Sequence, residues 1–181
     1  MLLLSIIEFM LLFNAQLSLN YATRDAALVA AEAGNNANAD CLILQQINQD
    51  LNPPTDEPRV ITVHIFSATE TGGQLTVPKE QTYTPGGTTT CGGLTVPYTV
   101  GTANYPYNIR CNDLDRTSCS AGFTGPTNTG VDIVGVQIDY GYRFITPLGS
   151  AVATVGNRTP LWGGAGMTVR VSNAMRMEPI L

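Results

Sequence analysis

The sequence predicts an α+β fold in which one long N-terminal α-helix packs on a small antiparallel β-sheet head, and three observations carry that prediction. An apolar start from Met1 to Leu19, with Glu8 as its only charged side chain, runs on without Gly or Pro into an Ala-rich stretch that ends at Ala33. Two late segments alternate apolar and polar residues with the period of two that a half-buried strand requires. The length of 181 residues suits one domain around one core.

In the Ala-rich stretch Leu19, Ala22, Ala26, Val29, Ala30 and Ala33 recur at helical spacing, and Gly34 supplies a stop. The simplest reading is one helix of about 30 residues and about 45 Å, longer than a small domain is wide. Residues 1–33 then form an apolar and Ala-rich helix, a filament core or membrane spike. Its first half projects, and its second half lets a globular head over 34–181 approach closely. The apolar start is also near the roughly 20 residues that cross a bilayer. A secretory signal would open with positive charge, whereas no Lys or Arg precedes Arg24. A plain anchor has to account for Glu8, which is costly at bilayer depth without a partner.

After Gly34, NNANADCLILQQINQDLNPPTDEP reads as a short second helix. Asn36, Asn38 or Asp40 are its candidate caps, Leu42, Ile43, Leu44 and Ile47 its buried side, and Pro53 and Pro54 its end. Arg59 to Ala68 is β-branched and aromatic and reads as a strand. On it His64 shares a side with Thr62 and Phe66, opposite Ile61, Val63 and Ile65, as a polar-facing or hydrogen-bonded structural residue. From about 69 to 130 Thr, Gly, Pro, Asn and Tyr dominate, which predicts loops and short irregular strands facing the medium, with Thr88, Thr89 and Thr90 as candidate O-glycosylation sites. The repeated LTVP at Leu75 to Pro78 and Leu94 to Pro97 is treated as coincidence. In VDIVGVQIDYGYRF the residues Val134, Val136, Ile138, Tyr140, Tyr142 and Phe144 form one face. In GMTVRVSNAMRM the face is Met167, Val169 and Val171. A sheet of three to five antiparallel strands against the helix follows, with TPLGSAVATVG between the late strands as a short helix.

Charged residues make up only 13%, and nine Lys plus Arg against 14 Asp plus Glu give a net charge of -5. With Lys79 the single lysine, no basic surface exists to neutralise a phosphate backbone, so nucleic acid is not an expected partner. One histidine cannot build a two-histidine metal site, and any hydrolytic triad would have to use that ring. TPGGTTTCGG lacks the Gly-Lys-Ser/Thr of a P-loop. No catalytic residue, cofactor or metal ligand is expected. The loop CNDLDRTSC holds Asn112, Asp113 and Asp115 without the glycine and final glutamate of a calcium loop, and reads as turn-forming residues. Cys41, Cys91, Cys111 and Cys119 form no CxxC pair and are candidate disulfide cysteines. Three pairings are open, and the one needing least chain reorganisation joins Cys41 to Cys91 and Cys111 to Cys119. Asn157, Arg158 and Thr159 make a candidate glycosylation sequon.

The run LLLSIIEFMLLFNAQLSLNYATRDAALVAA resembles the N-terminal helix of the TadE-like family, pilin-like proteins of tight-adherence pilus systems, in its IIEF and its AxRDAAxxAA-type stretch. VGVQIDYGYRFITPL and MTVRVSNAMRMEPIL are similar to the family's late strands and its R-x-E-P ending, here Arg176, Met177, Glu178 and Pro179. The resemblance covers both ends of the chain. Members usually carry an upstream segment with a prepilin-peptidase site, and Ser5 stands where pilins commonly have a glutamate. The resemblance then implies a sequence that is incomplete or processed, or a Glu8 that takes over that role.

The leading expectation is a structural, pilin-like subunit of an extracellular filament on the cell surface, membrane-inserted before assembly, whose partners are copies of itself or other pilins. It assembles through Glu8, Phe9, Leu12 and Phe13. In a water-free core Glu8 needs a partner, for which the N-terminal amine, Asn14 or Gln16 are candidates. The alternatives are a minor TadE-like, membrane-held pilin that assists pilus assembly, and a membrane-anchored adhesin or binding module. An enzyme comes last.

Overall fold

The computed structural model describes residues 2–51, 55, 59–75, 79–112, 131–144 and 166–178. With no Gly or Pro to interrupt it, helix α1 runs Leu2–Ala33, about 48 Å at 1.5 Å per residue. It stops where Gly34 takes a φ of 55° and donates its N–H to the Ala30 carbonyl at 3.2 Å. Helix α2 (Ala39–Asp50) begins after Asn38, one of the three candidate caps, whose side chain makes no capping bond. Its buried residues are Ala39, Asp40, Cys41, Ile43, Leu44 and Ile47, while Leu42 is half-buried.

Five strands follow: β1 (Val60–Ser67), β2 (Glu80–Cys91), β3 (Leu94–Ala103), β4 (Ile133–Arg143) and β5 (Gly166–Arg176). They form one antiparallel sheet in the order β3-β2-β1-β4-β5. The fold is therefore α+β, one long helix with a second short one against a five-stranded sheet. On β4 the alternation holds, with Val134, Val136, Ile138, Tyr140 and Tyr142 buried toward the helices. Gly135 and Asp139 are buried as well, because the Phe66 ring lies over Gly135 and Arg170 covers Asp139. Helix α1 packs against β4, β5 and α2, and its alanines at 22, 26, 27 and 30 are wholly buried, so that small side chains bring the backbones together.

Over residues 80–103 the Thr/Gly-rich segment corrects the expectation of loops and short irregular strands. Strands β2 and β3 have 12 and 10 residues and form a hairpin that turns at Gly92 and Gly93, with φ of 55° and 89°. Pro85, Gly86 and Gly87, which read as loop punctuation, sit at a register shift between Pro85 and Thr89, a bulge that takes up residues unable to pair regularly. The hairpin tip closes on α2, where a Cβ on Gly92 would come within 2.9 Å of Asn38. There the Cys41–Cys91 disulfide joins the two, with Cα atoms 5.7 Å apart. Closing a sequence separation of 50 is worth about 4 kcal/mol in the chain-entropy account.

A second correction concerns the projecting half-helix. Glu8, Ala15 and Leu19 are buried against the head, so that only Leu2–Ile7 is exposed on every side. The physical reason is strand length: 11 residues of β4 carry the sheet about 37 Å along the helix, and its last turn of side chains reaches Glu8. Cys119, Asp113, Asp115, Asn157, Pro179 and the segment 146–156 expected as a short helix lie outside the described residues.

Candidate functional site

The exposed side of α1 and the one charge beneath it make the candidate site. Facing away from the sheet, Leu2, Leu3, Ile6, Ile7, Phe9, Met10, Phe13 and Leu17 keep between 41% and 74% of their surface exposed. Leu3, Ile6, Met10, Phe13 and Leu17 repeat at alternating spacings of three and four, the seam by which one helix packs along another. Together these side chains expose on the order of 1,000 Å², against roughly 300 to 600 Å² for the largest apolar patch of a typical monomer. One partner in a stable interface buries about 800 Å². The helix is long and apolar enough to cross a membrane.

The four residues expected to act in assembly divide between two faces. Phe9 and Phe13 are exposed at 69% and 53%, whereas Leu12 packs against the core and Glu8 is buried at 7%. The Tyr142 hydroxyl donates to Glu8 Oε1 at 3.0 Å. Burial first, and then the Glu8 carboxylate, push the Tyr142 phenol well above its ordinary range, so it stays a donor. Phe144 packs edge-on against the Tyr142 ring at 5.5 Å. The only charge among the first 23 residues thus turns inward and leaves the exposed face without one. Asn14 and Gln16, considered as partners for Glu8, are exposed. Further along, Asn173 Nδ2 donates to Thr23 Oγ1 at 2.7 Å, a second polar tie between α1 and the sheet. At the other end of the helix the Glu178 N–H donates to the Ala31 carbonyl at 3.1 Å, and Met177 is buried, so residues 176–178 tie the end of β5 to the C-terminal end of α1.

A buried polar knot holds α2 to the hairpin. Asp40 Oδ1 accepts from Arg110 Nη2 at 2.5 Å and Asp40 Oδ2 accepts from the Tyr83 hydroxyl at 2.7 Å. Arg110 Nη2 also donates to the Tyr105 carbonyl, and the guanidinium lies 5.0 Å from the centre of that ring. Burial, then Asp40, raise the Tyr83 phenol far above its usual range, and burial, then Asp132, do so for Tyr105. On the outer face of the sheet His64 is a hydrogen-bonded structural residue, Nδ1 at 3.3 Å from Glu80 Oε2 and Nε2 at 3.9 Å from Asp139 Oδ2. Its two nitrogens face different carboxylates on opposite sides of the ring, and Asp139 is held by both Arg170 Nε and Nη2. Among the described residues no group of three or more His, Cys, Asp and Glu converges on a metal position.

The sequence offered Asp40 only as a candidate cap of α2 and Tyr142 only as one residue of a strand face, and placed no role on Arg110. Tyr142 carried a signal, a hydroxyl near the end of a strand face that is otherwise apolar but for Tyr140, yet its distance of 134 residues from Glu8 hides the pairing. Asn112, from the acidic loop, is buried against Gly34 at the end of α1. Cys111 is disulfide-bonded. No protein-family model, curated protein or solved structure matches this chain.

Proposed function

We propose that the protein is a structural, pilin-like subunit of an extracellular filament, held in a membrane before assembly and packed in the filament through the exposed face of α1. The observation that carries this reading is the area and pattern of that face: on the order of 1,000 Å² of exposed apolar side chain with a helical seam running along it, more than the largest apolar patch of a typical soluble monomer. The likeness of both chain ends to the TadE-like family supports the same reading. In such a filament copies of the helix, or helices of other pilins, cover the seam, while the hairpin β2–β3 and the outer face of the sheet remain toward solvent. Glu8 then belongs to the subunit's own fold, since its carboxylate accepts from Tyr142.

Shearing cells that produce the chain and identifying the filament bands by mass spectrometry tests the proposal. Met10→Glu and Phe13→Glu place a charge on the seam without touching the core and are expected to abolish filaments while the secreted or membrane-held head keeps its circular dichroism. Undiminished filaments from both variants would reject assembly through this face. The proportion of the chain in the sheared fraction separates a main subunit from a minor, membrane-held one.

A further inference from the structure

We infer that α1 has two exclusive placements, docked on its own sheet or spanning a bilayer, and that the Tyr142 hydroxyl, through Glu8, latches it in the docked one. The inference rests on the membrane-held stage of the filament reading and concerns what the chain must do to leave it.

The geometry excludes both placements at once. In the docked form the helix is free of the sheet only over Leu2–Ile7, about 9 Å at 1.5 Å per residue, whereas a bilayer core is about 30 Å thick and takes about 20 helical residues. A span formed by the apolar stretch of α1 itself runs from Leu2 to about Leu19. That length includes Ala15 and Leu19, wholly buried in the head, and Glu8 beneath Tyr142. Inserting the docked form to that depth would carry the end of β4 with its exposed Arg143, and the paired edge strand β5, into hydrocarbon. Open sheet edges and unpaired charges are not tolerated there.

Nor can the helix bend out of the conflict, since residues 2–33 hold no Gly or Pro at which a kink would be cheap. It has to leave the sheet as a rod, and the side chains it uncovers first are those at the Glu8 end: Tyr140 and Tyr142 on β4, and Val169 on β5, which pairs with Tyr140. A polar tie at that end is the Tyr142–Glu8 bond. Undocking takes the Tyr142 donor away from a buried carboxylate, so the bond opposes release more strongly than a surface hydrogen bond would. It also explains why a carboxylate sits in an apolar stretch: docked, it is satisfied within the subunit, and only the undocked helix has to carry it into lipid.

Reconstituting the full, oxidised chain into phosphatidylcholine vesicles tests the latch, with protease protection of the N-terminal segment reporting insertion and amide hydrogen exchange reporting docking. Inserted protein is expected to exchange at Tyr140–Arg143 at least tenfold faster than vesicle-free protein, with Val63–Phe66 of the β1–β2 pairing unchanged, which also checks that the head is folded. Tyr142→Phe keeps the ring and loses the donor, and is expected to raise the ratio of inserted to docked chain about tenfold. Glu8→Leu is expected to raise it further. Inserted chain that keeps docked-level exchange at Tyr140–Arg143 overturns the exclusivity. A ratio unchanged within twofold in Tyr142→Phe, or no insertion by any of the three proteins, overturns the latch. None of these readouts requires a filament, so their failure leaves the seam reading standing, and loss of the seam reading through Phe13→Glu leaves these results intact.

Discussion

Replacing Asp40 by Ala should unfold a large part of the protein's stability margin. The carboxylate is 5% exposed and accepts from two groups, Arg110 Nη2 and the Tyr83 hydroxyl. Arg110 is itself 1% exposed, and its Nε and Nη1 find no hydrogen-bond partner. Without Asp40 the guanidinium keeps one carbonyl, that of Tyr105, and the face of that ring. Removing one partner of a buried ion pair typically costs about 3 to 5 kcal/mol because the other charge is left uncompensated. Set against roughly 5 to 15 kcal/mol for a whole domain, that is about a fifth or more of the total. With a urea slope of about 2 kcal/mol per molar, the midpoint should fall by about 2 M. The double variant Asp40→Leu, Arg110→Met replaces the pair by apolar volume and should recover most of the loss, since a buried pair is seldom better than well-packed hydrocarbon. Urea unfolding of the oxidised chain, followed by far-ultraviolet circular dichroism, measures all three. A single-variant cost below about 1 kcal/mol, or a double variant as unstable as the two single changes added, would refute the uncompensated-charge argument.

Truncation separates the free end of α1 from the docked part. Removing residues 2–7 should leave the head's thermal transition in place, whereas removing 2–19 deletes the wholly buried Leu19 and should cost at least the roughly 3 to 5 kcal/mol of a large core deletion. Equal melting of the two truncated proteins would sink this. Gly135→Ala puts a Cβ 2.3 Å from the Phe66 ring and should destabilise by about 1 to 3 kcal/mol through overpacking. Adding Phe66→Leu should relieve part of that, and an unchanged melting temperature in the single variant would count against the ring's placement. Tyr83 and Tyr105 have phenols raised by burial, so the folded state holds protons that the unfolded state releases near pH 10. Their stabilising contribution is complete below that pH and is lost above it, at about 1.4 kcal/mol per pH unit for each phenol. Ultraviolet titration should show their ionisation coinciding with loss of the sheet, and ionisation of all seven tyrosines in a folded protein would contradict it.

The local order of the chain determined its helices and its late strands. The uninterrupted run before Gly34 is a single helix because nothing in it breaks i to i+4 bonding, and the alternation from Val134 to Tyr142 becomes a half-buried strand because a period of two has no other use. The exposed seam from Leu3 to Leu17 was not so determined, because the start of α1 is apolar nearly all round: the sequence pointed to Glu8, Phe9, Leu12 and Phe13, and packing on the sheet turned Glu8 and Leu12 inward. The Cys41–Cys91 pairing was one of three that the sequence left open, and the packing of the hairpin tip on α2 decided it. Only the tertiary structure decided that Pro85 to Gly87 form a bulge inside long strands rather than a loop, because the pairing of β2 with β3 outweighs the local turn preference. It alone decided that Glu8 faces inward, through a tyrosine 134 residues away, and that Arg110 spans 70 residues to Asp40. Polar side chains carry no periodic signature of whom they meet: a carboxylate in an apolar run shows that a partner is needed, and the fold, by bringing distant strands under the helix, supplies which one.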